Sequence, residues 1–533
     1  MDLTKSRFLE VGASDIYKVC RGNDQVWPIF PDWTSVAIWP TQAQIDALPV
    51  GDIRQGHVMA VCEVYVSPTK TLFFIAVSLL YHNSNRGKIK IFTFNTETSV
   101  IKEQSFSNPD LQVGYAANFY YGKSMAWDKE SLSLIVGAPR TLDFKVSGGS
   151  GLIRILEIKN SDFVNDNFTF GLKGFHYNYT GTYSTTTNTT NGWIAAENWN
   201  SGGGMPTFGW SVALSGNGQS AYVSVPFQHT IIKRDLNYNT ETWEIISVGP
   251  GLTNGPDQFY YSTVEDGIWT NVFPSWLGVE IFCYDKDPYL GEEYLVARTG
   301  KNNGTTFFHN AVAVFKIRQT GKDLEESRIR TLAFPDSLNN SRNATFDWNE
   351  TSGNVRKTIA GGDNVIVVGT PENGTVYCFK HDTYTSPQDI RDSSPWKTLT
   401  FDSCGLAATA TVNTYRKFGS TVAASLKQSL YSIGTFRTTI IVSQVNDIDT
   451  GNRGAYSAFK NFGSQSNVPD DLHPYSQDIF ERGGLQDFAG YCTFVSSDGV
   501  YVISTTPERT VSYVGSTSKQ SGQIRVWKKT PRT

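Results

Sequence analysis

Paired carboxylates, scattered histidines and two glycine-flanked hydroxyls are the residues of this chain whose types and spacing could do chemistry. Asp285/Asp287, Asp447/Asp449 and Asp470/Asp471 offer acid pairs. Two carboxyl groups roughly 5–9.5 Å apart would suit glycoside hydrolysis. Each pair lies within one short stretch, where aspartates ordinarily cap turns. His57, His82, His176, His229, His309, His381 and His473 are isolated in sequence. Only loops converging on one face would gather them. Gly122-Lys123-Ser124 has the tail of a phosphate-binding loop, but Ala117 stands where that loop needs glycine. Gly122-Lys123-Ser124-Met125-Ala126 and Gly209-Trp210-Ser211-Val212-Ala213 approach a nucleophile elbow. Both end in alanine and both open a strand-like segment. No Ser-x-Asp-x-Gly-x-x-Trp box is present. The expectation is a non-enzyme with no catalytic residues, no cofactor and no metal ligands.

Long aromatic stretches are the better candidates for contact with a ligand or partner. One holds Tyr177, Tyr179, Tyr183, Trp193 and Trp199, and another holds Tyr260, Tyr261 and Trp269. Both are set among short polar residues. Large rigid rings suit sugar stacking or protein contact, because little side-chain freedom is lost on binding.

The elements that must position these stretches recur along the chain. An aromatic or apolar residue and a glycine open one strand, and a β-prone strand ending in small residues follows. The four clear copies are Tyr121–Ala126 with Leu134–Pro139, Phe208–Ala213 with Ala221–Pro226, Phe418–Ala423 with Leu430–Thr435, and Phe488–Thr493 with Val500–Pro507. Weaker copies run from Leu277-Gly278-Val279-Glu280-Ile281 to Tyr294–Ala297, from Ile359–Gly362 to Asn364–Pro371, and from His57–Val61 to Leu72–Val77. After most of them comes a third, alternating strand such as Gly151–Leu156 or Gly522–Trp527. The seven openings recur about every 72 residues, enough for four strands each. The fold expected is all-β, a seven-bladed β-propeller.

The repeat resembles the FG-GAP repeat of integrin-like β-propellers. Phe208-Gly209 and Gly137-Ala138-Pro139 carry the likeness best, and Phe418-Gly419, Gly369-Thr370-Pro371 and Thr505-Thr506-Pro507 carry it in part. Many such repeats bind calcium through an Asp-x-Asp-x-Asp-Gly loop. The corresponding stretches here, Asp128–Ser131, Ser215–Gly218 and Ser496–Gly499, have too few carboxylates to fill six or seven positions.

Ahead of the repeats, Gly12–Pro28 reads as two short strands about the Gly22-Asn23 turn. A lone hairpin is barely stable, so it must lean on something. Ile16, Lys18, Val19, Gly22, Val26, Trp27 and Pro28 resemble a short motif near the start of many tailed-bacteriophage virion proteins. That resemblance implies a hairpin that docks the chain to a phage particle.

Composition narrows the classes. The 533 residues carry a net charge of −4, which excludes broad nucleic-acid binding by phosphate neutralisation. Charged residues make up 18% and aromatics 13%, which argues against wholesale disorder. The six cysteines lie far apart and are expected as free thiols packed like small apolar residues. The longest apolar run, Thr71–Tyr81, is too short to span a membrane, and the N-terminus lacks the apolar region of a secretion signal.

The expected division is a hairpin over 1–35 and a propeller over 36–533. The expected role is a virion structural component, tail- or fibre-associated and receptor-binding, assembled in the host cytoplasm. Its expected partners are other virion subunits, host-surface glycan and further copies of itself. Two alternatives remain from the sequence. One is a propeller glycoside hydrolase or lyase acting on host-surface polysaccharide. The other is an extracellular integrin-like adhesion module.

Overall fold

The computed structural model describes residues 8–11, 16–21, 24–27, 33–41, 44, 56–80, 86–104, 120–139, 151–173, 193–195, 208–215, 218–226, 230–237, 242–248, 278–287, 292–298, 312–317, 328–332, 357–362, 365–371, 374–380, 395, 397–400, 418–425, 439–444, 455–461, 472–474, 491–507, 510–511, 519–520 and 522–529. Every secondary-structure element assigned among them is a β-strand. No helix among them is long and apolar enough to cross a membrane.

The second strands of the repeats explain why this sequence builds stacked sheets. Ser133–Ala138, Val365–Thr370 and Tyr501–Thr506 are buried at every residue. A strand covered on both faces reads as an unbroken apolar run rather than an alternation. The outer strand Val100–Glu103 is mostly exposed. Burial therefore falls outward across a sheet, and the core lies between neighbouring sheets. Ile135, Ile153 and Ile155 pack with Val212, Leu214, Val223 and Ile232 of the next sheet. Val367 and Val376 likewise pack with Phe418, Val422 and Ile440.

Antiparallel pairing joins the strands in chain order. Sheet 1 runs Met59–Ser67, Lys70–Ser78, Ile89–Asn95 and Val100–Glu103. Sheet 2 runs Ser124–Asp128, Ser133–Ala138, Leu152–Asp162 and Asn167–Leu172, with Trp193–Ala195 added. Sheet 3 runs Val212–Ser215, Ser220–Val225, Thr230–Asn237 and Thr242–Val248. Sheet 4 runs Glu280–Asp287, Glu292–Arg298, Val312–Ile317 and Arg328–Leu332. Sheet 5 runs Ile359–Gly362, Val365–Thr370, Thr375–Lys380 and Lys397–Thr400. Sheet 6 runs Phe418–Ala424, Thr439–Gln444, Ala455–Asn461 and Leu472–Pro474. The last sheet runs Cys492–Val495, Tyr501–Thr506 and Gln523–Lys529, and takes its fourth strand from near the N-terminus.

The first strands of successive sheets contact one another in an unbroken circle, and Cys492–Val495 meets Met59–Ser67 to complete it. Four-stranded sheets around a ring of inner strands make an all-β β-propeller.

A seven-bladed propeller was expected, and that expectation needs correction, because only six regular four-stranded blades are found among the described residues. Six sheets have four strands, and the one built on Ser124–Leu172 has five. The cause is a length mismatch. Leu152–Asp162 is eleven residues long, and its hairpin partner Asn167–Leu172 pairs only with Leu156–Asp162. Its first residues, Leu152–Arg154, keep a free edge, which Trp193–Ala195 fills. In sheet 6 the second strand is Thr439–Gln444, not Leu430–Thr435 as expected; the latter lies outside the described residues.

Four strands precede sheet 1. β1 (Phe8–Val11), β2 (Ile16–Arg21) and β3 (Asp24–Trp27) form a separate three-stranded sheet in the order β1-β2-β3. β2 and β3 pair as the Gly22-Asn23 turn required, with Arg21 opposite Asp24. β1 was not foreseen. β4 (Trp33–Trp39) then pairs along Gln523–Lys529, from Trp39 opposite Ile524 to Trp33 opposite Lys529. The last sheet is thus built from both ends of the chain. Trp39 also packs on Phe92 of sheet 1, ring centroids 4.4 Å apart, and Lys90 lies 5.0 Å above the Trp39 ring.

Candidate functional site

The inner ring is the part of the described molecule with the richest buried polar chemistry. Each inner strand is preceded by a short lead whose residues pack against the previous sheet. Gly56, Gly122, Gly209, Gly278 and Gly419 occupy one equivalent position there, with φ between +86° and +96°. Such φ values favour glycine. Space is short as well. A Cβ on Gly278 would lie 2.6 Å from Ser224 Cβ of the preceding sheet, and one on Gly137 would lie 2.1 Å from the Gly209 carbonyl. These glycines let each sheet abut the second strand of its neighbour.

Hydrogen bonds cross every joint of the ring. Tyr121 N–H donates to Arg86 O at 2.9 Å between sheets 1 and 2. Ser124 Oγ donates to Gly209 O at 2.8 Å, and Ile281 N–H donates to Ser211 Oγ at 2.9 Å. Val422 N–H donates to Lys357 O at 2.9 Å. Thr421 and Thr493 share a 3.4 Å contact between their hydroxyls. Thr505 Oγ1 donates to Gly56 O at 2.7 Å, and Cys492 Sγ donates to His57 O at 3.4 Å.

One joint is charged. On the second strands, the position facing the next sheet is Ser78, Gly137, Ser224, Gly369, Ser443 or Thr505, but in sheet 4 it is Arg298. Arg298 pairs in register with Glu280, and the two side chains approach to 3.9 Å. Glu280 reaches into sheet 5. Its Oε2 accepts from Thr358 N–H at 3.0 Å and Thr358 Oγ1 at 2.7 Å, and its Oε1 accepts from Ile359 N–H at 3.0 Å. Arg298 Nη1 completes the cluster at 2.8 Å from Thr358 Oγ1.

Burial pushes the Glu280 carboxyl above the usual range, opposed by Arg298 and by the Thr358 and Ile359 hydrogen bonds. Burial lowers Arg298 to about 10, opposed by Glu280, so it stays cationic at neutral pH. Both carboxylate oxygens are taken up by donors. The cluster is a seam that fixes sheet 4 to sheet 5, not a free general base.

Other buried basic side chains stand against aromatic rings. Lys123 sits 4.8 Å over Trp210, Arg154 stands 5.8 Å from Tyr121, and Arg234 stands 5.8 Å from Phe208. Burial pulls the Lys123 ammonium well below its ordinary pKa. Gly122-Lys123-Ser124 therefore supplies a ring joint and a buried lysine. Gly209-Trp210-Ser211 does the same structural work, as the strand reading of both motifs required.

Among the described residues the buried thiols behave as packing groups. Cys62, Cys378 and Cys492 form no disulfide and are buried, and Cys283 forms none and is half-buried. Burial raises all three buried thiols, Cys492 to about 11. A thiol held that high is scarcely a nucleophile at neutral pH. The turn carboxylates cap their own turns. Asp128 accepts from Ser131 N–H and Oγ, and Asp498 from Ser496 Oγ and Val500 N–H.

The contact residues expected from sequence are mostly beyond the described part. Tyr177, Tyr179, Tyr183, Trp199, Tyr260, Tyr261 and Trp269 lie outside the described residues. Trp193 falls on the added strand of sheet 2, opposite Arg154 in register. Of the hairpin residues, Ile16, Lys18 and Val19 fall on β2, and Val26 and Trp27 on β3, while Gly22 is outside. Asp285 and Asp287 fall on the first strand of sheet 4. Asp447, Asp449, Asp470 and Asp471 lie outside. Sequence reasoning missed the Glu280–Arg298 seam. The signal was there: aligned copies put a small residue where this copy has Arg298, and glycine where the next has Arg356.

No family model matches the chain, and no curated protein matches it. Among solved structures it is similar to U3-55K (11% identity, covering 90% of this chain and 98% of that one, TM-score 0.40). It is also similar to the β-propeller domain of Cps50 (Swd1) from Myceliophteria thermophila (10% identity, 90% and 99% covered, TM-score 0.38). A third is the periplasmic gluconolactonase PpgL of Pseudomonas aeruginosa (11% identity, 89% and 99% covered, TM-score 0.38). The β-propeller assignment rests on the sheet topology of this chain.

Proposed function

We propose that this chain is a non-enzymatic structural component of a tailed-phage particle. Its N-terminal sheet docks it to other virion subunits, and its propeller is turned toward host-surface glycan or a neighbouring subunit. Counting the five-stranded sheet as a blade makes the propeller seven-bladed. The observation that carries the reading is the pairing of β1–β3. These strands pair only with one another among the described residues, and five residues later β4 is sealed into the last sheet. A small sheet outside the ring, joined to the strand that closes it, suits a docking element, because load on it passes directly into the propeller. The resemblance of Ile16, Lys18, Val19, Gly22, Val26 and Trp27 to phage virion hairpins supports the same assignment. The aromatic stretches around Tyr177–Trp199 and Tyr260–Trp269 supply the contact surface in this reading.

Electron microscopy of particles carrying a tagged copy tests it. Tag density at the tail or its fibres is expected, and particles without the chain would overturn the proposal.

A further inference from the structure

Lys70, Asn95 and Asp166 bring an amine, a carboxamide and a carboxyl group together at the outer ends of sheets 1 and 2. Lys70 opens the second strand of sheet 1, and Asn95 ends the third. Leu72 pairs with Asn95, so Lys70, two residues before Leu72, is the diagonal neighbour of Asn95 on the same face. Diagonal neighbours lie about 7–8 Å apart, within reach of a long side chain. Asp166 comes from the hairpin of sheet 2 and bridges the two. Its carboxylate Oδ1 lies 2.9 Å from Lys70 Nζ, and its Oδ2 accepts from Asn95 Nδ2 at 2.7 Å. Lys70 and Asn95 are buried, and Asp166 is half-buried.

The surroundings supply more than an ion pair needs. Lys70 Nζ donates to Phe163 O and Val164 O at 2.5 and 3.2 Å. A neutral amine has two N–H bonds and a lone pair, so both carbonyls stay satisfied when the third proton passes to Asp166. Asn95 Oδ1 accepts from Glu97 N–H at 2.8 Å and from Thr98 N–H at 3.4 Å. Two backbone donors on a carboxamide oxygen are the parts of an oxyanion hole. Asp166 has φ +53°, uncommon for a residue other than glycine. Its carbonyl is held by Lys102 Nζ at 3.1 Å and Gln104 Nε2 at 3.3 Å, both from sheet 1 or the chain just beyond it. That backbone places one carboxyl group between the amine and the carboxamide.

We propose that Lys70 and Asn95 join in an isopeptide bond, with Asp166 as the proton carrier. Asp166 takes a proton from Nζ, and the amine attacks Asn95 Cγ. Negative charge gathers on Asn95 Oδ1, where the Glu97 and Thr98 N–H groups meet it. Asp166 passes its proton to Nδ2, and the Cγ–Nδ2 bond breaks. The Lys70 ammonium loses two protons and the departing amide nitrogen gains them, so one ammonium ion leaves and no other reactant is consumed. The bond ties two neighbouring strands of sheet 1, and it is independent of the docking role.

Mass spectrometry of the purified full chain tests the bond. The denatured wild-type chain is expected to be lighter than its sequence by one ammonia. A protease digest is expected to yield a branched peptide joining the segments of Lys70 and Asn95. Lys70→Arg keeps a donor for the same acceptors but has no amine to transfer, and it is expected at the full mass of its sequence. Asp166→Asn is expected at full mass too, with Lys70 and Asn95 in separate peptides. A wild-type chain at full mass refutes the proposal, as does an ammonia loss with no branched peptide. Loss of one water with Lys70 joined to Asp166 refutes it as well, and an Asp166→Asn chain linked as completely as wild type removes Asp166 from the reaction.

Discussion

Glu280 and Thr358 belong to different sheets, yet the Glu280 carboxylate accepts both the backbone N–H and the hydroxyl of Thr358, at 3.0 and 2.7 Å. Removing one partner of a buried ion pair costs about 3–5 kcal/mol, because the remaining charge is left unpaired. Glu280→Ala strands Arg298 and two backbone donors, so a loss of that size is expected in denaturant unfolding. Glu280→Gln keeps an acceptor and is expected to cost less. Equal stability for wild type and Glu280→Ala would show that the seam holds nothing.

Lys123 gives a pH dependence with a definite sign. Its folded pKa is depressed by burial, so folding expels a proton that the unfolded chain binds. Its contribution to stability is fully present above the ordinary lysine value of about 10.5 and is lost as pH falls through the depressed folded value. Lys123→Met removes the titrating group. The variant is expected to be more stable than wild type at neutral pH and to lack that alkaline gain. Parallel stability–pH curves for the two proteins would refute the assignment.

The abutment of sheets 2 and 3 leaves no room at Gly137. A Cβ there would meet Gly209 O at 2.1 Å and Ser124 Oγ at 2.2 Å. Overpacking of this kind typically costs about 1–3 kcal/mol, and backbone on one side leaves little to relax. Gly137→Ala is expected at or above the top of that range by thermal unfolding. A neutral substitution would mean the sheets are not in contact there.

A latch joins sheets 1 and 2 at their outer ends. Lys70 Nζ lies 2.9 Å from Asp166 and donates to the carbonyls of Phe163 and Val164, while Asn95 Nδ2 donates to Asp166 at 2.7 Å. Residues in one such network couple by about 0.5–3 kcal/mol. A double-mutant cycle with Lys70→Met and Asp166→Asn is expected to show coupling in that range, and additivity would remove the latch.

The repeat was legible because two physical demands leave marks on sequence. Second strands buried on both faces, such as Val365–Thr370, spell continuous apolar runs. Joints that abut backbone on backbone require glycine at fixed places, such as Gly209 and Gly419. Other features left no mark that could be read. β4 is only partly buried along most of its length, so neither an apolar run nor a repeat signature announces the closing strand. The added strand of sheet 2 follows from unequal strand lengths within one hairpin, which single-strand patterns do not record. The Glu280–Arg298 seam joins residues from two sheets and emerges only when departures from the repeat are aligned. At the N-terminus the sequence announced the β2–β3 pairing through its turn, but not the third strand.

The docking role and the closing strand are separable by truncation, and that separation tests the central assignment most directly. Two chains are compared, one lacking residues 1–28 and one lacking residues 1–40. The first keeps β4 and is expected to unfold at the wild-type temperature but to be absent from purified phage particles. The second loses the fourth strand of the last sheet and is expected to be destabilised outright. The decisive measurement is the copy number of the 1–28 deletion in purified particles relative to full-length chain. A folded deletion chain missing from the particles is the expected result. The same copy number for both would contradict a docking role for the N-terminal sheet.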